Sequence, residues 1–339
     1  MINVNVTKNC VGAWLGNGNN YNIINCSFSD NTDNRPLGGP ILGQFFPPRT
    51  SKYVWGLTYF SDKRLGDTDS TNWLIRNCKF NNNGTTANKG ESAVVIGCEL
   101  TSLQKDVIIE DCQFNGNYGL IKDKSGYSYV HGFDSGGGDG MQFINCQFNG
   151  NKGYGNVQGC HLSGTIPDRY PAKTHSYVHA KNVTLIDCIA SDNVCMNSSS
   201  SVSRSFGYGF DGNCKLNIMG CTTTDNLNTN PKGQTAGVYI TFDKPNNGQV
   251  INVTIDALHA CNNNGTSDDS SDILLNDNVN SVTVVNSVLI GKSKNSGRQT
   301  NNGVCITYPK NYQLKNIYIN NNLIVNHKND VNYKPTQMN

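Results

Sequence analysis

Short apolar runs, alternating in twos and broken by asparagine and glycine, recur along the whole chain. The segments Ile23-Ile24-Asn25-Cys26-Ser27-Phe28, Ile75-Arg76-Asn77-Cys78-Lys79-Phe80, Ile109-Glu110-Asp111-Cys112-Gln113-Phe114 and Phe143-Ile144-Asn145-Cys146-Gln147-Phe148 are copies of one motif. It continues in weaker form around Cys188, Cys221, Leu258, Ser287 and Asn322, which makes nine copies. Within each copy the apolar residues are two apart around a small turn, the period of a strand with one face turned inward. The cysteine-equivalent positions are separated by 52, 34, 34, 42, 33, 37, 29 and 35 residues. Copies at this period cannot bury their apolar faces alone and must stack on their neighbours, which is the logic of a solenoid.

The predicted fold is therefore all-β, a single-domain parallel β-helix solenoid over residues 1–339 with about nine coils between 12 and 327. Stacked strands lie about 4.8 Å apart, and a coil of three short strands and three turns fits the interval with room for loops. Long insertions are expected on one side of it, at 32–53, 118–130, 152–180 and 194–207.

Two columns follow from the register. Cys26, Cys78, Cys112, Cys146, Cys188 and Cys221 are predicted to stack inward as small buried hydrophobes. Thirteen cysteines, an odd count without CxxC spacing, indicate neither a disulfide framework nor a zinc site. A disulfide network within the ladder is the alternative, but parallel side chains from successive coils meet the disulfide dihedral poorly. Five residues after each of the first seven copies stands an asparagine: Asn31, Asn83, Asn117, Asn151, Asn193, Asn226 and Asn263. Amides at one fixed turn position can hydrogen-bond from coil to coil, so an asparagine ladder is expected.

Composition agrees with a turn-rich β chain: 35 Gly and only 15% charged residues. A formal net charge of +2 gives no whole-molecule field that would argue for nucleic acid or an anionic membrane. No run of about 18 apolar residues is present to span a bilayer, and the N-terminus has no signal-peptide pattern. An extracellular or virion-associated location is favoured, and any acidic partner must be held by a local basic site.

Candidate chemistry lies on a second set of strands, each led by glycine: Gly12-Ala13-Trp14, Gly56-Leu57-Thr58, Gly132-Phe133-Asp134, Gly209-Phe210-Asp211, Gly237-Val238-Tyr239 and Gly303-Val304-Cys305. If Phe133, Phe210 and Val238 point inward, Asp134, Asp211 and Tyr239 share the outer face. Loops on a rigid scaffold concentrate binding and catalysis, and here they bring Arg169, Lys173 and Arg204 near His131 and His161, a lining suited to carboxylated sugars. In the coil between the two Gly-Phe-Asp copies two registers remain open. Ser176-Tyr177-Val178-His179 is one candidate strand; Gly155-Asn156-Val157-Gln158-Gly159, which brings His161 to the site, is the other.

The repeat architecture, from about Gly12 to His327, resembles the pectate-lyase-like superfamily of right-handed parallel β-helices. That resemblance implies the fold, and its families include polysaccharide lyases, hydrolases, uronate epimerases and virus tail proteins. Tyr208-Gly209-Phe210-Asp211 is similar to the opening of the YGFDPHD motif of mannuronan C5-epimerases, with Gly212-Asn213 in place of Pro-His. It implies roles for Tyr208 and Asp211 in moving the C5 proton of a uronate. The expected activity is thus C5 proton abstraction on an acidic polysaccharide, as a lyase or epimerase, with Asp134, Asp211, His179 and Tyr208 as catalytic candidates. Alternatives are an inverting hydrolase using Asp134 and Asp211 across a water, and a non-catalytic glycan-binding shaft, adhesin or virion spike. No cofactor or metal is assigned; the Asp/Gly turn between Asp134 and Asp139 is the one place suited to Ca²⁺.

Overall fold

The nine copies of the motif become nine strands of a single sheet, from Asn22–Ile24 to Lys315–Asn320. The computed structural model describes residues 1–33, 51–60, 69–89, 91–101, 104–122, 126–163, 181–196, 203–211, 215–242, 252–265, 267, 270–277, 280–292, 300–309 and 313–336. Strands pair in parallel throughout, in a ten-stranded sheet running from Val11–Leu15 to Asn329–Thr336, the nine-stranded sheet, two five-stranded sheets and a short pair. Among the described residues there is no helix, and so none that could cross a membrane. The chain is a parallel β-helix.

The residue before each cysteine-equivalent position explains the Asn-Cys pairing in the motif. Asn25, Asn77, Asp111, Asn145, Asp187, Asn286 and Asn321 all have φ between 51° and 54°. Each coil must turn through the left-handed region there, which asparagine and aspartate tolerate better than other side chains. The cysteine that follows then points inward. All six ladder cysteines are buried and free, and the twelve described cysteines form no disulfide. Two residues further on, Phe28, Phe80, Phe114 and Phe148 stack at centroid distances of 5.5, 4.9 and 5.0 Å. Such offset stacks add to the apolar area they bury.

The asparagine ladder is internal. Asn31, Asn83, Asn117, Asn151, Asn193, Asn226 and Asn263 have no exposed surface. Each Nδ2 donates to the Oδ1 of the next at 2.7–3.0 Å. The last, Asn263, donates to Asp272 Oδ1 at 2.8 Å. Opposite the ladder runs a column of glycines, and the two require each other. A Cβ on Gly56, Gly97 or Gly132 would lie 2.3, 2.4 or 2.6 Å from the carbonyl oxygen of the next glycine and about 3 Å from a ladder amide.

At Gly159 the added methyl would meet Gly207 O at 2.7 Å and Phe148 O at 2.8 Å, both backbone atoms that cannot swing away. Gly159→Ala is therefore expected to lose about 1–3 kcal/mol of stability from overpacking. Gly16→Ala, where nothing lies within 4 Å, serves as the control. Equal urea midpoints for the two variants would show that the glycine column is not sterically required.

Candidate functional site

The glycine column also sets which side chains share the outer face of the ten-stranded sheet. The chain bends at each column glycine, and the residue before it and the one two after it face the same way. In the strand Ser128–Ser135 these are His131 and Asp134, which flank Gly132-Phe133. In the next coil Gly155–Ser163 supplies Gln158 beside His131 and His161 beside Asp134. Of the two segments open for this coil, the second forms the strand and brings His161 to Asp134. His179, Arg169 and Lys173 lie outside the described residues, as do 34–50, 123–125, 164–180 and 197–202 of the expected insertions; most of the expected loop 118–130 is strand instead, in Tyr118–Ile121 and the start of Ser128–Ser135. Residues 152–163 of one such interval are strand rather than loop.

His161 is the centre of the cluster. Its Nδ1 lies 2.7 Å from Asp134 Oδ1 and its Nε2 lies 3.2 Å from Asp211 Oδ2. Tyr129 donates its hydroxyl to Asp134 Oδ2 at 3.3 Å and stands equally far from His161 Nδ1. His131 Nδ1 approaches Asp134 Oδ1 at 3.4 Å without forming a hydrogen bond, and its ring centre is 4.6 Å from that of His161. Asp211 is the member open to solvent, with 28% of its side chain exposed against 13% for Asp134 and 8% for His161.

The charges follow from these contacts. Burial opposes a charged His161, yet its hydrogen bonds to Asp134 and Asp211 outweigh that and raise it to about 10. Burial lowers His131 to about 4, with Asp134 pulling the other way. Burial works to raise both carboxyls, but His131 and His161 hold Asp134, and His161 and Arg204 hold Asp211, below the ordinary carboxylate range. Tyr129 is pushed well above the usual phenol value by burial and by Asp134. A cationic imidazole between two carboxylates, beside a neutral one, is the result.

Three points correct or extend the expectations. The two Gly-Phe-Asp segments are not equivalent in register. His161 pairs with Gly209, and Asp211 pairs with Ser163, two residues further along the strand Arg204–Asp211. Gly207, not Gly209, lies in the glycine column, so Tyr208 takes the inward place held elsewhere by Phe133 and Val238. It is fully buried in the core, with its hydroxyl donating to Thr222 O at 3.1 Å, and cannot reach a substrate. Asp211 nevertheless returns to Asp134 through His161. Gly209 permits this: it leaves the place beside His161 without a side chain, and Gln158 Oε1 lies 1.7 Å from where its Cβ would be.

Second, Tyr239 is 3% exposed, stacked on Phe206 at 4.3 Å with the Arg204 guanidinium 5.7 Å from its ring centre. It shares the column of Asp134 and His161, as expected, but is closed into an apolar patch with Phe206, Ala236, Leu274 and Cys305. Arg204 stays partly exposed, and its Nε has no hydrogen bond among the described residues. Third, the Asp134 column contains another carboxylate that the sequence reading missed, Glu99 in Gly97-Cys98-Glu99, which accepts a hydrogen bond from Thr58 at 3.1 Å. Tyr129 was missed as well. The signal for both was the column glycine, Gly97 for the first and the outer position three residues before Gly132 for the second. At the Asp134–Asp139 turn Asp139 accepts from Asn182 at 2.8 Å.

No family model matches the chain, and no curated protein matches it in sequence. Among solved structures it is similar to the Dettilon tailspike protein gp208, with 10% identity and a TM-score of 0.32 over 96% of this chain and 61% of that one. It is also similar to the tailspike protein gp49 of Acinetobacter baumannii bacteriophage Fri1, a capsular polysaccharide depolymerase, with 11% identity and a TM-score of 0.24 over 97% and 57%. A third is the Streptococcus pneumoniae surface protein and adhesin PfbA, with 9% identity and a TM-score of 0.24 over 97% and 90%. The chain spans about three fifths of the length of the two tailspikes. At these identities none of the three bears on what this chain does.

Proposed function

We propose that the outer face of the ten-stranded sheet binds an acidic polysaccharide and moves the C5 proton of a uronate. The observation that carries this reading is the hydrogen-bonded line Asp134–His161–Asp211, assembled from three successive coils. Asp211, at the solvent end, is the base placed to meet a sugar, while Asp134 and Tyr129 fix the ring of His161 behind it. Arg204, partly exposed and close enough to lower Asp211, is the cation for the uronate carboxylate. Deprotonation at C5 then has two outcomes. Return of a proton to the opposite face inverts C5; breakage of the C4–O bond instead leaves a C4=C5 double bond, with the proton passing to the departing oxygen.

The inverting-hydrolase alternative fits less well, because the imidazole of His161 occupies the gap that such enzymes keep for a water between their carboxylates. The likeness to the epimerase motif now rests on Asp211 alone, since Tyr208 is in the core. Glycan recognition of this kind accords with a place outside the cell or on a virion.

The test is incubation with alginate, pectate and neutral glycans, following ultraviolet absorbance for unsaturated products, reducing ends, and C5 configuration by proton NMR. Unsaturated ends or inverted residues from a uronate polymer are expected. Reducing ends without unsaturation would mark a hydrolase, and binding without any product would leave a glycan-binding shaft.

A further inference from the structure

His131 is fully buried, and neither of its ring nitrogens makes a hydrogen bond. A buried imidazole whose only polar neighbour is a carboxylate at 3.4 Å is costly, and such groups in folded proteins generally answer to a ligand, an ion or a water. One donor atom from each of His131, Asp134 and His161 lies within 4.8 Å of the others. We propose that these three residues bind a divalent transition-metal ion of the zinc class.

The geometry and the donor chemistry point the same way. An ion about 2.0–2.2 Å from two imidazole nitrogens and a carboxylate oxygen holds those donors a little over 3 Å apart. His131 Nδ1 and Asp134 Oδ1 are already 3.4 Å apart, and the 2.7 Å contact of His161 Nδ1 with the same oxygen widens when an ion takes the place of the proton between them. Imidazole with one carboxylate suits zinc, iron, cobalt or nickel, whereas calcium and magnesium require mostly oxygen.

The surroundings are those of a ligand set held from behind. A metal-bound histidine typically donates its other N–H to a carboxylate, and His161 Nε2 is 3.2 Å from Asp211. Tyr129 in turn orients Asp134 through the oxygen that would remain unbound. Three protein ligands leave a position for a water or a sugar hydroxyl, as open sites do. The ion also links two coils, since His131 and Asp134 belong to one strand and His161 to the next.

The inference shares Asp134 and His161 with the glycan site, but its test contains no glycan, so either can fail alone. The full chain, stripped with EDTA, is titrated with Zn²⁺ by calorimetry and with Co²⁺ by visible spectroscopy. One ion per chain is expected, with Co²⁺ ligand-field bands and no thiolate charge-transfer band, since the cysteines are not ligands. Binding should disappear in His131→Gln and in Asp134→Asn, and Asp211→Asn should weaken it by about 10–100-fold, as loss of an outer partner does. If His131→Gln fails to fold by circular dichroism, Asp134→Asn, which keeps the side-chain shape, decides. No binding by the wild type, or undiminished binding in Asp134→Asn, overturns the proposal.

Discussion

Cys146→Arg leaves the chain unfolded under conditions where the wild type is native. Cys146 has no exposed surface, and the ladder places Cys112 and Cys188 above and below it in adjacent coils. Its thiol donates weakly to Ile109 O, 3.4 Å away in the preceding coil, and among the described residues it is surrounded by the other ladder thiols and apolar side chains. An arginine there must bury an unpaired charge, at a cost of at least several kcal/mol. That is comparable with the whole stability of an ordinary domain, about 5–15 kcal/mol. Cys146→Ala removes only a sulfur and is expected to remain folded. Circular dichroism and limited proteolysis separate the two, and native-like melting of Cys146→Arg would mean that the position faces solvent.

Asp211→Asn is expected to lower turnover of a uronate polymer by about 10²–10⁴-fold, the usual contribution of a positioned base. Its effect on stability should be small, because Asp211 is partly solvated and the amide oxygen still accepts from His161 Nε2. Folding is checked by the melting temperature and activity by the appearance of product. Full activity in the variant would remove Asp211 from the chemistry. The alternative of a binding shaft is distinguished by the wild type itself, which would then retain glycan and release nothing.

Much of the architecture was legible in the sequence because each column is repeated six to nine times. An inward cysteine, a left-handed asparagine before it and a ladder asparagine five residues later recur in fixed order, and stacking leaves few other ways to place them. The site was legible only in part, because it occurs once and has no repeat to fix it. The shared letters Gly-Phe-Asp suggested that Asp134 and Asp211 occupy one column, whereas Gly207 carries the bend and moves Asp211 along by two residues. That shift sent Tyr208 inward and opened the space at Gly209. His161 was one of two candidates because both sequence segments are apolar enough to serve as the strand. Glu99 went unnoticed since Gly97-Cys98-Glu99 shares only its glycine with the others.

The asparagine ladder has a direction. Every amide donates toward the C-terminal coils, from Asn31 through to Asn263, so seven side-chain dipoles add head to tail along the axis of the solenoid. The array behaves as a side-chain counterpart of the helix dipole, with its positive end at Asn263. A carboxyl group stands there: Asp272 accepts from Asn263 and lies 2.9 Å from His327 Nε2, both side chains fully buried. Burial raises Asp272, while His327 and the donor end of the ladder pull it back. The polarity of the stack thus marks one end of the coil as chemically different from the other, and Asp272 takes the place that the glycine column holds in the preceding coils.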